Sequence, residues 1–186
     1  MSMRIREPSR APAVRPGALT LCVAGAICSL VYAGRLTGSA PAAAPAAAAR
    51  ELLTPAQRAD STAKGKLKNP YSDTDAAAVA EGNKLFMSYA CSGCHGGTGG
   101  GGMCPPLTND IWVYGGDDDT LFRLVAYGSQ ELQAKGYSRK GQENVVAPMP
   151  PMGGIVKSDD DLWRILAFVR ANYHGSPQCK YGCPGN

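Results

Sequence analysis

Cys91-Ser92-Gly93-Cys94-His95 constrains this chain more than any other stretch of it. Two cysteines separated by two residues can both reach neighbouring vinyl groups on one porphyrin edge, and a histidine placed directly after them can turn in beneath the ring. Two other chemistries use paired cysteines. Zinc needs a second ligand pair at similar spacing, and the only other close pair, Cys179 and Cys183, has three residues between it and no histidine in step. A redox dithiol follows a strand in a βαβ pattern, and no such pattern is present. The motif therefore predicts one covalently attached haem c, its iron held by His95 and its porphyrin by Cys91 and Cys94.

Composition supports a cofactor of that kind. Three Phe and two Trp in 186 residues make a thin core, which a large flat apolar group would complete. The formal charge of +4 divides unevenly along the chain. Residues 1–34 carry +3 and residues 35–70 carry +4, whereas residues 71–186 carry −3. With the basic residues outside the part expected to fold, nucleic-acid binding has no support. The runs Asp117–Asp119 and Asp159–Asp161 are expected to be helix N-terminal charges with a solvated face, forming an acidic rim that steers basic partners.

Arg4, Arg6, Arg10 and Arg15 precede a charge-free run from Ala18 to Gly34. A basic segment followed by an apolar one reads as an export signal over residues 1–33, or as a membrane anchor if residues 18–34 are retained. Export implies a periplasmic, oxidising location. Residues 34–70, Ala/Pro-rich and then polar and basic, are expected to be a disordered linker without a packed core. Residues 71–186 are left as the haem domain, with a cysteine-containing tail.

Within that domain Ser72 and Asp75 are expected to cap a helix over Thr74–Tyr89, with Ala78, Gly82, Leu85 and Tyr89 on one face. Gly82 inside it signals a close backbone approach. Asp118 or Asp119 is expected to cap a short second helix, carrying Leu121, Leu124 and Val125 and stopping at Gly128. The polar segment 129–148 reads as a long loop. Ser158 and Asp161 cap a last helix to about Ala171, burying Leu162, Ile165, Leu166 and Val169.

These features together resemble a class I c-type cytochrome, the small all-α haem domain, over residues 74–174. The resemblance rests on Gly82 with Leu85-Phe86, the Cys91–His95 motif, Pro105-x-Leu107, Met149-Pro150 ahead of Gly153-Gly154, and Ala167-Phe168-Val169. It implies that the first and last helices cross at Gly82 against Phe168. It also implies that the Pro105 carbonyl holds the ring of His95. A shorter stretch, Pro105-Pro106-Leu107-Thr108-Asn109-Asp110 with Trp112 and Tyr114, is similar to cytochrome c-L-like proteins, which accept electrons from quinoprotein (PQQ) alcohol dehydrogenases. The implied function is single-electron transfer rather than catalysis, from a dehydrogenase to a downstream cytochrome or oxidase. The alternatives are a cytochrome subunit anchored in a respiratory complex and a haem enzyme or sensor with an open sixth coordination site.

The other face of the iron decides among these. A thioether fills the sixth site and favours ferrous iron, and position relative to the glycine pair favours Met149 over Met152 as that ligand. Met87 and Met103 read as core filler, and His174 as a polar residue after the last helix. Trp112 and Tyr114 are expected either to pack on the haem or to serve as ordinary core. Cys104, Cys179 and Cys183 allow one internal disulfide, its pairing left open.

Overall fold

The computed structural model describes residues 52–143 and 146–184. The expected leader, residues 1–33, and the first part of the expected linker lie outside them. Among the described residues the chain is helical, without strands. In order these are α1 (Pro55–Ser61), α2 (Ala76–Ser88), α3 (Cys91–His95), α4 (Asp118–Ala134), α5 (Asp159–Ala171) and a single 3-10 turn at Pro177–Cys179. No helix among the described residues is long and apolar enough to cross a membrane.

The frame is the crossing of α2 and α5. A Cβ on Gly82 would overlap the Arg164 carbonyl and come within 3.0 Å of the Phe168 Cβ, so only glycine lets the two backbones meet there. One turn on, Phe86 packs against Phe168 with ring centroids 5.3 Å apart. The stripe Leu162, Ile165, Leu166 and Val169 is buried, and Trp163 adds a ring 4.3 Å from that of Phe122 on α4. Each such side chain contributes about 1.5–3 kcal/mol by leaving water.

Local capping sets the helix starts. Asp75, not Ser72, caps α2 by accepting the Ala77 and Ala78 N–H groups. Ser158 caps α5 through the Asp161 N–H, as its spacing predicts. α4 starts one residue earlier than expected, because Asp117 accepts the Thr120 N–H. It also runs past Gly128, which bends the chain at φ +73° before one further helical turn to Ala134. That turn buries Leu132 completely, so residues 129–134 are helix anchored on the core rather than loop.

A larger correction concerns residues 52–70, expected to carry no packed core. Thr54 and Gln57 form a reciprocal capping box with Pro55 at the first helical position, and this starts α1. Ala59 and Leu67 are buried in the main core. Polar groups lock the segment down. Arg58 Nε donates to Asp159 at 2.6 Å, and Arg123 donates to the Ala59 and Thr62 carbonyls at 2.7 Å each. The Leu67 N–H reaches Asp119 at 3.1 Å. Low complexity ends before this stretch begins, and the short polar helix has too little apolar periodicity to announce itself.

The acidic runs are likewise turned inward. Asp159 and Asp119 are 0% and 2% exposed. Asp119 pairs with Arg123 at 2.9 Å, Asp160 with Arg164 at 2.9 Å and Asp118 with Arg170 at 3.4 Å. Asp161 accepts the Tyr89 hydroxyl, and Asp117 is the α4 cap. All six carboxylates are committed to the fold, so the expected solvated acidic rim is not formed by them. A helix N-terminus and a guanidinium supply the donors that replace the water such a carboxylate gives up on burial.

Candidate functional site

Ala90, in the left-handed conformation at φ 60°, turns the chain from α2 into α3. The short helix α3 carries Cys91, Cys94 and His95. The glycine-rich loop after it folds back on itself: the Gly101 N–H donates to the His95 carbonyl at 2.8 Å, and the Leu107 N–H to the Gly99 carbonyl at 2.7 Å. This return brings Pro105 beneath the imidazole. His95 Nδ1 lies 2.9 Å from the Pro105 carbonyl. A carbonyl only accepts, so Nδ1 carries the proton and the lone pair is on Nε2.

The return loop, α2, α4 and α5 together wall a deep apolar cavity. It holds about 1050 Å³ of empty space, part of it open to solvent. Its lining includes Cys91, His95, Pro105 and Met149 together with core groups such as Phe86 and Leu166. Polar groups are few. Apolar surface of this kind is costly to leave facing water, and a thiol, an imidazole and a thioether open onto it. Those features fit a large flat apolar group carrying a metal at its centre. Desolvation pushes the Cys91 thiol up from its ordinary range, holding it in the neutral form at neutral pH.

Met149 is placed from both sides by one residue. The Ser129 N–H donates to the Met149 carbonyl at 2.9 Å, and the Met149 N–H donates to Ser129 Oγ at 3.1 Å. The bend at Gly128 makes the approach possible, since a Cβ there would come within 2.7 Å of the Met149 carbonyl. Met152 points elsewhere: it packs against the core, and its N–H donates to the Val125 carbonyl at 2.9 Å. Ser129 carried no signal in the sequence beyond its position after a helix-ending glycine.

Trp112 and Tyr114 are both buried and both line the cavity. The Trp112 indole stacks on Tyr173 at 5.9 Å. His174 lies outside the cavity lining, its N–H donating to the Thr108 carbonyl. Met87 and Met103, expected as core filler, are 52% and 65% exposed. Met87 falls on the outer face of α2, and Met103 rides on the glycine loop. Cys179 and Cys183 form the disulfide, leaving Cys104 free beside the haem motif.

Comparison with known proteins bears on the same residues. The family described as cytochrome c oxidase, cbb3-type, subunit III matches residues 77–169, half of the chain. The chain belongs to this family of c-type cytochromes. The matched span contains the Cys91–His95 motif and Met149, and proteins of this kind carry covalently attached haem c with its iron and transfer electrons. The cytochrome is 45% identical over 58 residues to a cbb3-type cytochrome c oxidase subunit CcoP of Cereibacter sphaeroides, covering 30% of this chain and 20% of that one. It is 33% identical over 128 residues to the subunit FixP of Rhizobium meliloti, covering 68% and 40%. The chain thus spans a fifth to two fifths of the length of these curated relatives. Among solved structures, cytochrome c-L of Methylophaga aminisulfidivorans is 30% identical at a TM-score of 0.44, over 58% of this chain and 61% of that one.

Proposed function

We propose that this cytochrome is an exported, periplasmic, monohaem electron carrier. In this reading His95 Nε2 and Met149 ligate the iron, and Cys91 and Cys94 bond the porphyrin. Single electrons arrive from a dehydrogenase, a quinoprotein alcohol dehydrogenase being the leading donor, and leave to a downstream cytochrome or oxidase. One observation carries the reading: an imidazole with its Nδ1 proton fixed and a doubly anchored methionine open onto the same apolar cavity.

The haem, when bound, supplies a one-electron iron couple, and histidine–methionine ligation favours its ferrous state. The chain's own residues do the rest. Pro105 holds the proton on Nδ1 and so the plane of the ring. Ser129 fixes the main chain of Met149 at both its N–H and its carbonyl. The apolar wall offers water few partners in the cavity, so that little has to reorganise when the charge there changes.

A second reading has support from the named relatives, which are oxidase subunits. In it the chain is a cytochrome subunit of a respiratory oxidase, retained at the membrane through residues 18–34. The mass of the mature protein separates the two, because a soluble carrier has lost the leader. The ligand assignment is tested by the weak far-red sulfur-to-iron band of the ferric protein. It is expected in the parent and in Met152→Ala, and lost in Met149→Ala. A parent without the band, whose spectrum shifts on adding cyanide, would overturn the carrier in favour of an enzyme or sensor with an open site.

A further inference from the structure

Three thiols, not two, gather where the porphyrin is to be attached. Cys91 and Cys104 both line the cavity, and the thiol of Cys104 lies beside that of Cys94. The main chain fixes this meeting. The Cys104 N–H donates to the Cys94 carbonyl at 3.1 Å, and the Gly102 N–H donates to the Cys104 carbonyl at 3.2 Å. Gly102 is what lets the two arms of the loop close, since a Cβ there would come within 2.8 Å of the Cys94 carbonyl oxygen. All three cysteines are free and half-buried. Thioether formation consumes two of them and leaves the third without a task.

We propose that Cys104 is a redox partner of Cys94: before haem is attached, the two close a disulfide that withholds Cys94 from the porphyrin. The inference rests on the haem reading above. Backbones joined by a hydrogen bond bring two Cα atoms within the span of a disulfide. Closing the bond removes two electrons and two protons from the thiol pair. They pass to a disulfide-bearing protein oxidant of the export compartment. One thiolate attacks the oxidant's disulfide to give a mixed disulfide, the second thiolate displaces it, and the oxidant leaves as a dithiol. A dithiol reductant reverses the exchange and returns Cys94 as a thiol, the form that adds across a vinyl group. Haem attachment to this chain thereby requires a reducing step directed at Cys104. In the loaded protein Cys94 is a thioether and Cys104 persists as a free thiol.

The sequence provides its own mapping reagent. Cyanogen bromide cuts after Met87, Met103 and Met149, placing Cys91 and Cys94 on fragment 88–103 and Cys104 on fragment 104–149. The full-length chain, prepared without haem, is equilibrated with glutathione disulfide, alkylated and cleaved. The two fragments are expected to remain joined until reduced, to stay joined in Cys91→Ser, and to separate in Cys104→Ser. Separate fragments in the parent, or a disulfide contained within 88–103, would overturn the proposal. As a second readout, glutathione disulfide should depress covalent haem attachment in the parent and spare Cys104→Ser, with equal attachment under a dithiol reductant. Equal inhibition of both proteins would also overturn it. A chain that attaches no haem under any redox condition defeats the haem reading instead, whatever its cross-links.

Discussion

The indole N–H of Trp112 donates to the carbonyl of Cys179 at 2.7 Å, so a wall of the haem cavity is bonded to the disulfide loop of the C-terminal tail. Neighbouring contacts reinforce the tie. The tail's Ser176 donates twice to Asp110, at 2.6 Å from its N–H and 2.7 Å from its hydroxyl. Arg170 donates to the carbonyls of Lys180 and Gly116 and lies over the Trp112 ring.

Trp112→Phe keeps an aromatic ring but removes one of the two donors to the Cys179 carbonyl, the Gly182 N–H remaining. The expected cost is about 0.5–1.5 kcal/mol in denaturant unfolding. Cys183→Ser, which opens the loop, is expected to cost about 2 kcal/mol. The two losses should fall short of additivity in the double variant, because both act through one contact. Strict additivity would mean that the tail and the cavity wall are independent.

The contribution of residues 52–70 is measured by truncation. A chain beginning at Leu52 is expected to melt with the parent. One beginning at Tyr71 loses α1 and the two carbonyls that Arg123 holds, and its Tm should fall by more than about 5 °C. Arg123→Met, which leaves Asp119 buried without its guanidinium, is expected to cost about 3–5 kcal/mol. An unchanged Tm on truncation to Tyr71 would return the segment to the status of a linker.

Much of the fold was legible in the sequence because it is written in short-range patterns. The α5 stripe and its Ser158 cap, the Gly82 crossing and the Cys91–His95 motif each need only a few residues to be recognised. What was missed depends on partners far along the chain. The 52–70 segment is held by Arg123 and Asp159, roughly sixty and a hundred residues away. The acidic runs read as surface because Arg123 and Arg164, their i,i+4 partners, look like ordinary exposed helix pairs, and Arg58 and Arg170 reach Asp159 and Asp118 from far along the chain. Ser129 was hidden by the bend at Gly128, where helical periodicity breaks although the helix resumes. The cavity residues His95, Pro105 and Met149 were found by motif and resemblance. The company Cys104 keeps could be seen only once the glycine loop was folded.

Acid should probe the Asp119 cluster. Burial pushes this carboxyl up, but hydrogen bonds from Arg123 and from the Gly65 and Leu67 N–H groups outweigh it, and the group is held below its ordinary value of 3.8. A carboxyl depressed in the folded state stabilises above its unfolded value, and that stability is lost as pH falls through the folded one. Unfolding free energy is therefore expected to drop below about pH 4 in the parent, and with a shallower slope in Asp119→Asn. Identical slopes would remove Asp119 from the account.

Ser129→Ala deletes the acceptor for the Met149 N–H. The expected cost in global stability is about 1 kcal/mol. The far-red band should be lost at a lower temperature than in the parent, ahead of the loss of helical circular dichroism. Coincident melting of the two signals would show that Ser129 supports the fold as a whole and has no special hold on the methionine.

Gly82→Ala forces a methyl group against the Arg164 carbonyl. Overpacking of this kind costs about 1–3 kcal/mol or more, and because α2 and α5 also wall the cavity, the yield of haem-loaded protein should fall with it. Wild-type loading in Gly82→Ala would show that the crossing can shift without disturbing the site.

Arg123 grips the N-terminal segment by the main-chain oxygens of Ala59 and Thr62. Such a grip is blind to side-chain identity. Position 62 can therefore drift freely in evolution, while position 59 is limited only by the space around its buried methyl group. A foreign leader and helix could be grafted onto this domain, provided that an arginine at position 58 meets the buried Asp159, a small residue sits at position 59 and two carbonyls three residues apart are presented to the Arg123 guanidinium. The domain carries a socket for an N-terminal extension that is indifferent to most of the extension's sequence.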